Sequence, residues 1–424
     1  MKPVDPVAVW DVRPWGCDTF RVDDFNGDGK HEVLFLQTSG CHAHRRHDPR
    51  FPEFKGYKTG IEEQELFCMT LTDGEGNILW QVGEPWALER PFSWNGHWNE
   101  FCHVVDFDGD GQVEILFVHK DDMRVYDGAT GALRHQAEMP HPGAYYTRAV
   151  RTDHSGQYHI FAHVDPCFLL SSTFDVVWEK DAPGARPGHF GSFADVDGDG
   201  LDELLAGFSL FDHDGTLLWA HPPASEGDHL DDARIADIDG DGRLEIALAH
   251  DGHDAVVHND DGAERFRVQM HHCQNILIGK FFADTPGLQL VLMDKTIGPA
   301  GDREGVAVDA WGRELSRHRN LGYYSAINWA TDVGPLSLIR VERPVEPDGE
   351  HRVMWVAPTG EELASFKVRS SFYDRIQRHG LDRLPGRGRY YGTTHSPAIG
   401  DVDGDGCDEL LVTDRERVWI FERP

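Results

Sequence analysis

A short acidic motif recurs along the chain at near-constant spacing, and that period restricts the fold more than any other feature. It reads DDFNGDGKHEVLFL (23–36), VDFDGDGQVEILFV (105–118), ADVDGDGLDELLAG (194–207), ADIDGDGRLEIALA (236–249) and GDVDGDGCDELLVT (400–413). Two degenerate copies lie between these. VRTDHSGQYHIFAH (150–163) keeps only Asp153 of the acidic set, and IGKFFADTPGLQLVLMD (278–294) aligns without a gap to the last copy, with Lys280 where Asp401 stands. A weaker copy fits INWATDVGPLSLIRV (327–341). Asp106, Asp153, Asp195, Asp237 and Lys280 are 47, 42, 42 and 43 residues apart. That is the length of one four-stranded propeller blade.

The most complete copy, His189–Pro222, shows how one unit is built. A short strand (Phe190–Ala194) enters the acidic loop Asp195–Glu203, and an apolar strand (Leu204–Phe208) leaves it. A third strand (Ser209–Asp212) meets a His-Asp-Gly turn, and a fourth (Thr216–Ala220) carries Trp219. Four short strands with turn chemistry between them make one antiparallel blade. The count predicts an all-β chain, a single propeller over 1–424 with eight blades, or seven if the unit near 330 is an excursion. Insertions are expected at 37–65 and 375–391. The last repeat has three strands, and Pro6–Val12 resembles a fourth strand. It is expected to complete that blade, close the ring and remove an exposed sheet edge.

Asp195, Asp197, Asp199 and Glu203 take positions 1, 3, 5 and 9 of their loop, and Gly198 and Gly200 allow the turn. The same places hold Asp24, Asn26, Asp28 and Glu32; Asp106, Asp108, Asp110 and Glu114; Asp237, Asp239, Asp241 and Glu245; and Asp401, Asp403, Asp405 and Glu409. Hard oxygen donors at alternate positions suit Ca²⁺ rather than Zn²⁺, because no Cys or His belongs to the set. Several structural calcium ions are therefore expected. The bland alternative is an acidic turn held by its own Asx hydrogen bonds. An ammonium at Lys280 could stand in for a cation.

Acidic residues number 73 and basic ones 40, a net charge of −33. Binding to nucleic acid by phosphate neutralisation is not expected of such a chain. No apolar run approaches the ~18–20 residues that span a membrane. MKPVDPVAVWDVRP shows no basic region followed by an apolar one. The expected location is the cytoplasm, or the exterior if a signal has been removed. Seven scattered cysteines with no C-x-x-C read as buried reduced thiols.

If the strands of a blade are lettered A to D outward from the axis, the acidic loops join A to B on one face. The residues before A and after B then lie on the other face, where radial propellers bind ligands. Before A stand His97 and Trp98, Tyr145 and Tyr146, Arg186 and His189, His229 and Asp231, His271 and His272, Tyr323 and Tyr324, and His395. After B stand His119 and Lys120, His163, His250 and Asp251, and Lys295. A lone histidine there would be an ordinary polar group. A ring of His, Tyr, Trp and Arg predicts a ligand funnel. Aromatics offer stacking platforms for sugars, and histidines offer acid–base groups near neutrality.

The acidic repeats resemble FG-GAP/VCBS-type calcium propellers, including integrin α-chain heads. A sharper likeness lies in GHFGSFADVDGDGLDELLAGFSLFDHDGTLLW (188–219), GDHLDDARIADIDGDGRLEIALAHDG (227–252) and HHCQNILIGKFFADTPGLQLVLMD (271–294). These resemble the catalytic propeller of rhamnogalacturonan lyases and of related propeller lyases acting on ulvan and rhamnose–glucuronate linkages.

The resemblance implies β-elimination at a uronic acid in an anionic oligo- or polysaccharide. A base removes the C5 proton, the C4 oxygen leaves, and the uronate carboxylate must be neutralised to stabilise the enolate-like intermediate. By that likeness His97 or His119 is the base, Tyr146 its acid or base partner and Arg186 the neutraliser. Trp98, Tyr145, His163, His189, His229, His272, Tyr324 and His395 line the substrate. The chain departs from the pattern where His163 stands in place of a tyrosine after strand B of blade 3. A site Ca²⁺ on Asp231 or Asp251 could share the neutralising role. Two other functions compete: a glycoside hydrolase such as an α-L-rhamnosidase, and a non-catalytic calcium-dependent carbohydrate-binding propeller.

Overall fold

A computed structural model describes residues 3–17, 19–38, 66–85, 102–119, 122–140, 146–163, 166–182, 191–223, 228–251, 253–294, 303–320, 322–342, 350–369, 397–414 and 416–424. These residues form eight four-stranded antiparallel sheets and no helix. Blade 1 is Thr19–Asp23, Glu32–Thr38, Leu66–Thr72 and Ile78–Gly83. Blade 2 is Cys102–Val105, Glu114–His119, Asp122–Asp127 and Leu133–Glu138. Blade 3 is Tyr146–Val150, His159–His163, Cys167–Leu170 and Val176–Lys180. Blade 5 is Leu230–Ala236, Glu245–His250, Ala255–His258 and Glu264–Val268. Blade 6 is Cys273–Gly279, Gln289–Asp294, Arg303–Val308 and Glu314–Asn320. Blade 7 is Gly322–Ile327, Ser337–Glu342, Glu350–Val356 and Glu362–Arg369. Strand A of blade 4 is only Phe193–Ala194, shorter than the sequence suggests.

Burial explains the alternation of strand types. The B and C strands carry unbroken apolar runs, such as Leu204–Leu205–Ala206, because both faces of each blade are covered by neighbours. Eight apolar clusters result, one in each seam between successive blades, and the last joins blade 8 to blade 1 through Val12, Phe20, Leu411 and Ile420. The A strands of blades 8 and 1, 2 and 3, 5 and 6, and 6 and 7 touch one another, which puts the A strands on the axis side.

Two devices fix the ring. Ala8–Asp11 pairs antiparallel with Arg417–Phe421, so the N-terminal strand completes blade 8, with Trp10 opposite Val418. Between blades, the tryptophan of one outer strand donates its indole N–H to the C–D turn of the next. Trp80 reaches the Gly128 carbonyl at 2.9 Å, Trp178 that of His213 at 3.1 Å and Trp219 that of Asp260 at 3.1 Å. The turn glycine behind each carbonyl lies against the ring. Gly262 has φ +82°, and a Cβ there would come 2.8 Å from Trp219 Cγ. In blade 3 the left-handed position is held by Phe174 (φ 66°) instead, facing His135 of blade 2 at a 4.6 Å centroid separation.

The pairing corrects the reading of two degenerate loops. Val150 pairs with His159 as Ala194 pairs with Glu203, so Arg151 takes the first loop position and Asp153 the third. In blade 6 Gly279 pairs with Gln289, which makes that loop one residue longer than the acidic ones. Five cysteines are buried as expected, but Cys407 is exposed on the blade 8 loop.

Candidate functional site

Strand order places the acidic loops at one face and the starts of A strands and ends of B strands at the other. On that second face, the seam between blades 5 and 6 gathers a set of ionisable side chains. His229 and Asp231 come from the start of strand A of blade 5, Asp251 follows its strand B, and His272 precedes strand A of blade 6. His229 Nδ1 lies 3.0 Å from Asp251 Oδ2, and its Nε2 lies 3.5 Å from Asp231 Oδ1. His272 Nε2 lies 2.7 Å from Asp231 Oδ2 and 3.0 Å from Asp251 Oδ1. Two imidazoles and two carboxylates thus alternate in a closed quartet.

The quartet runs from core to surface. The Asp231 side chain is fully buried, whereas that of Asp251 is 31% exposed. Burial works against charge on His229, but its hydrogen bonds to Asp231 and Asp251 outweigh that and hold its pKa at about 9. The hydrogen bond from His229 in turn holds the Asp251 carboxyl below its usual range. Around the quartet, His250 Nδ1 meets Asp228 Oδ2 at 3.1 Å and stacks on Phe208. Asp294 Oδ1 accepts the backbone N–H groups of His271 and His272 at 3.1 and 2.9 Å. Burial pushes the Asp294 carboxyl up.

Donor atoms of His229, Asp231 and Asp251 lie within 4.8 Å of one another, and so do those of His271, Asp294 and Glu304. Either group has the nitrogen and oxygen donors that a divalent cation requires. The same quartet can also hold or relay a proton, because imidazoles and carboxylates alternate within hydrogen-bond reach.

The sequence-based site residues fall into four groups. His229 and His272 come together, with Asp231 and Asp251 between them. His163 and Tyr324 lie elsewhere and are buried, His163 completely. Burial drives the His163 pKa down to about 3, and Tyr324 Oη pairs with His318 Nε2 at 2.7 Å in the seam between blades 6 and 7. His119 ends strand B of blade 2 and Tyr146 starts strand A of blade 3, so their backbones stand at the quartet's face. His97, Trp98, Tyr145, Arg186, His189 and His395 lie outside the described residues.

Asp228, Asp294 and Glu304 were missed by sequence reasoning. A signal for Asp294 existed: it stands five residues after Gln289, as His250 does after Glu245 and His119 after Glu114. All three end a B strand at the same face.

The acidic loops share one internal pattern. In blade 4, Asp195 accepts the N–H groups of Gly198 and Gly200, Asp199 that of Leu201, and Glu203 Oε2 that of Val196. Asp24, Asp237 and Asp401 accept from the matching glycines, and Asp106 accepts from Gly111. Glu32, Glu114, Glu245 and Glu409 repeat the bond of Glu203 to the second loop residue. In blade 6 Lys280 Nζ caps the carbonyls of Thr285 and Gly287, and Gln289 replaces the glutamate, accepting from Phe281.

No family model matches the sequence. Among curated proteins, rhamnogalacturonan exolyase YesX of Bacillus subtilis (strain 168) is 24% identical over 306 residues, which is 57% of this chain and 46% of that protein. The match thus spans less than half the length of the curated relative. Solved structures share the fold along nearly the whole chain. Exotype rhamnogalacturonan lyase YesX superposes with a TM-score of 0.61 at 17% identity, covering 96% of this chain and 72% of that one. Rhamnogalacturonan lyase YesW gives 0.61 at 16%, covering 99% and 74%. The V. cholerae biofilm matrix protein Bap1 gives 0.58 at 12%, covering 97% and 88%. At such identities the likeness establishes the propeller fold.

Proposed function

We propose that the chain is a polysaccharide or oligosaccharide lyase that cleaves a uronate-containing, rhamnose-linked glycan by β-elimination. The supporting observation is the quartet His229–Asp251–His272–Asp231, set at the end of the ring opposite the acidic loops. It sits in a propeller whose fold is shared with structures described as rhamnogalacturonan lyases. An acidic protein that acts on an anionic glycan needs local cationic groups against its own field. In this reading Arg186, Lys120 and Lys295 supply them.

In this reading His97 or His119 takes the C5 proton, Tyr146 serves as its acid or base partner, and Arg186 neutralises the uronate carboxylate. His229 and His272 bind and orient the sugar beside them. Asp231 or Asp251 would hold a site Ca²⁺, and such an ion would add positive charge next to the substrate carboxylate. Further calcium ions in the acidic loops would be structural, relieving repulsion among close carboxylates.

The test is activity on rhamnogalacturonan, ulvan and rhamnose–glucuronate glycans with His97→Ala, His119→Ala and Arg186→Ala beside the unaltered protein. Loss of a positioned acid or base costs about 10²–10⁴-fold in rate. Full activity in all three variants would discard these roles. Reducing ends without an unsaturated product would point to hydrolysis instead.

A further inference from the structure

Seven of the eight described blades carry a one-residue bulge at the same point of the outer strand, just after the C–D turn. The bulged residue is left out of the ladder. It is Leu79, Val177 and Leu218 in blades 1, 3 and 4, all exposed. In blades 2 and 5 it is an arginine, and each arginine reaches into the acidic loop of its own blade. Arg265 Nη1 lies 2.8 Å from Glu245 Oε1, and its Nη2 pairs with Asp239. Arg134 Nη1 forms an ion pair with Glu114 Oε1 at 2.7 Å, outside hydrogen-bond geometry, and lies 3.4 and 3.5 Å from Asp108 and Asp110.

Blade 4 has the same loop without the arginine. Glu203, in register with Glu245, has a fully buried side chain, and its Oε1 has no hydrogen-bond partner. Its carboxylate shares a space of 4.8 Å with donors of Asp199 and His213. A buried carboxylate oxygen without a partner is costly, and a cation is what satisfies its blade 5 counterpart.

We propose that the bulge position decides which acidic loops take a metal: Arg134 and Arg265 are built-in cations that keep blades 2 and 5 free of calcium, whereas the blade 4 loop, with Leu218 at the bulge, binds one Ca²⁺ through Asp195, Asp197, Asp199 and Glu203. This rests on the reading of the loops as calcium sites and is independent of the lyase reaction. Lys280 in blade 6 follows the same rule from a different position, its ammonium taking the loop carbonyls.

The experiment counts calcium bound to the full chain after equilibrium dialysis, with the melting temperature in EDTA as a second readout. Leu218→Arg should bind one calcium fewer than the unaltered protein and show a smaller drop in melting temperature on chelation. Asp199→Asn should also lose one calcium, without that protection. Arg265→Gln should gain one. An unchanged count in Leu218→Arg, or no gain in Arg265→Gln, would overturn the proposal while leaving calcium in the loops intact. An unaltered protein that binds no calcium would overturn both.

Discussion

His272 Nε2 stands 2.7 Å from Asp231 Oδ2 across the seam between blades 6 and 5, so one hydrogen bond joins the two blades at the candidate site. Asp231 is fully buried and His272 nearly so. Removing the imidazole leaves a buried carboxylate short of a donor, which costs about 1–3 kcal/mol. His272→Leu should therefore lower stability by that amount in urea denaturation. It should also reduce glycan turnover, because Asp251 loses the contact that holds it at 3.0 Å. A variant as stable and as active as the parent would show that the quartet is ornamental.

The blade-to-blade clasp gives a prediction with an internal control. Gly262 and Gly240 both have φ +82°, but only at Gly262 would a Cβ meet a neighbour, 2.8 Å from Trp219 Cγ. Gly240→Ala should cost only the backbone strain, about 1 kcal/mol. Gly262→Ala should cost more, about 1–3 kcal/mol beyond that, because the turn must move off the indole. Equal costs by chemical denaturation would refute the clasp.

Acid sensitivity should follow from His163. Burial lowers its folded pKa from 6.5 to about 3, so the folded chain keeps it neutral where the unfolded chain binds a proton. Stability is therefore full above the unfolded pKa and falls as the pH drops from about 6.5 towards 3, by ~1.4 kcal/mol per pH unit for one proton. His163→Leu should flatten the stability curve between pH 6 and 4 by roughly that slope. An unchanged slope would mean that His163 does not govern it.

Much of this architecture is legible in the sequence because the repeat carries it. The acidic motif fixes the A–B turn, the tryptophan marks strand D, and the missing strand in the last repeat points to Ala8–Asp11. Where the motif decays, reasoning by composition fails. Asp153 is the only acid in its copy and its spacing suggests the first position, but strand pairing gives that place to Arg151. The loop of Lys280 gained a residue that no side-chain pattern announces. His229 and His272 were legible from their place before strand A. Their joint use of Asp231 and Asp251 was not, because it depends on how far blade 6 turns against blade 5. The bulge arginines escaped notice for a related reason: Arg134 and Arg265 look like ordinary outer-strand charges until the ladder skips them.

The most direct measurement is ultraviolet absorbance during incubation with uronate polysaccharides and oligosaccharides, rhamnogalacturonan, ulvan and rhamnose–glucuronate glycans among them. β-Elimination creates a conjugated unsaturated uronate, and hydrolysis or simple binding does not. A rise in absorbance is expected on at least one of these glycans. Retained glycan binding, or new reducing ends, with no unsaturated product on any of them would contradict it.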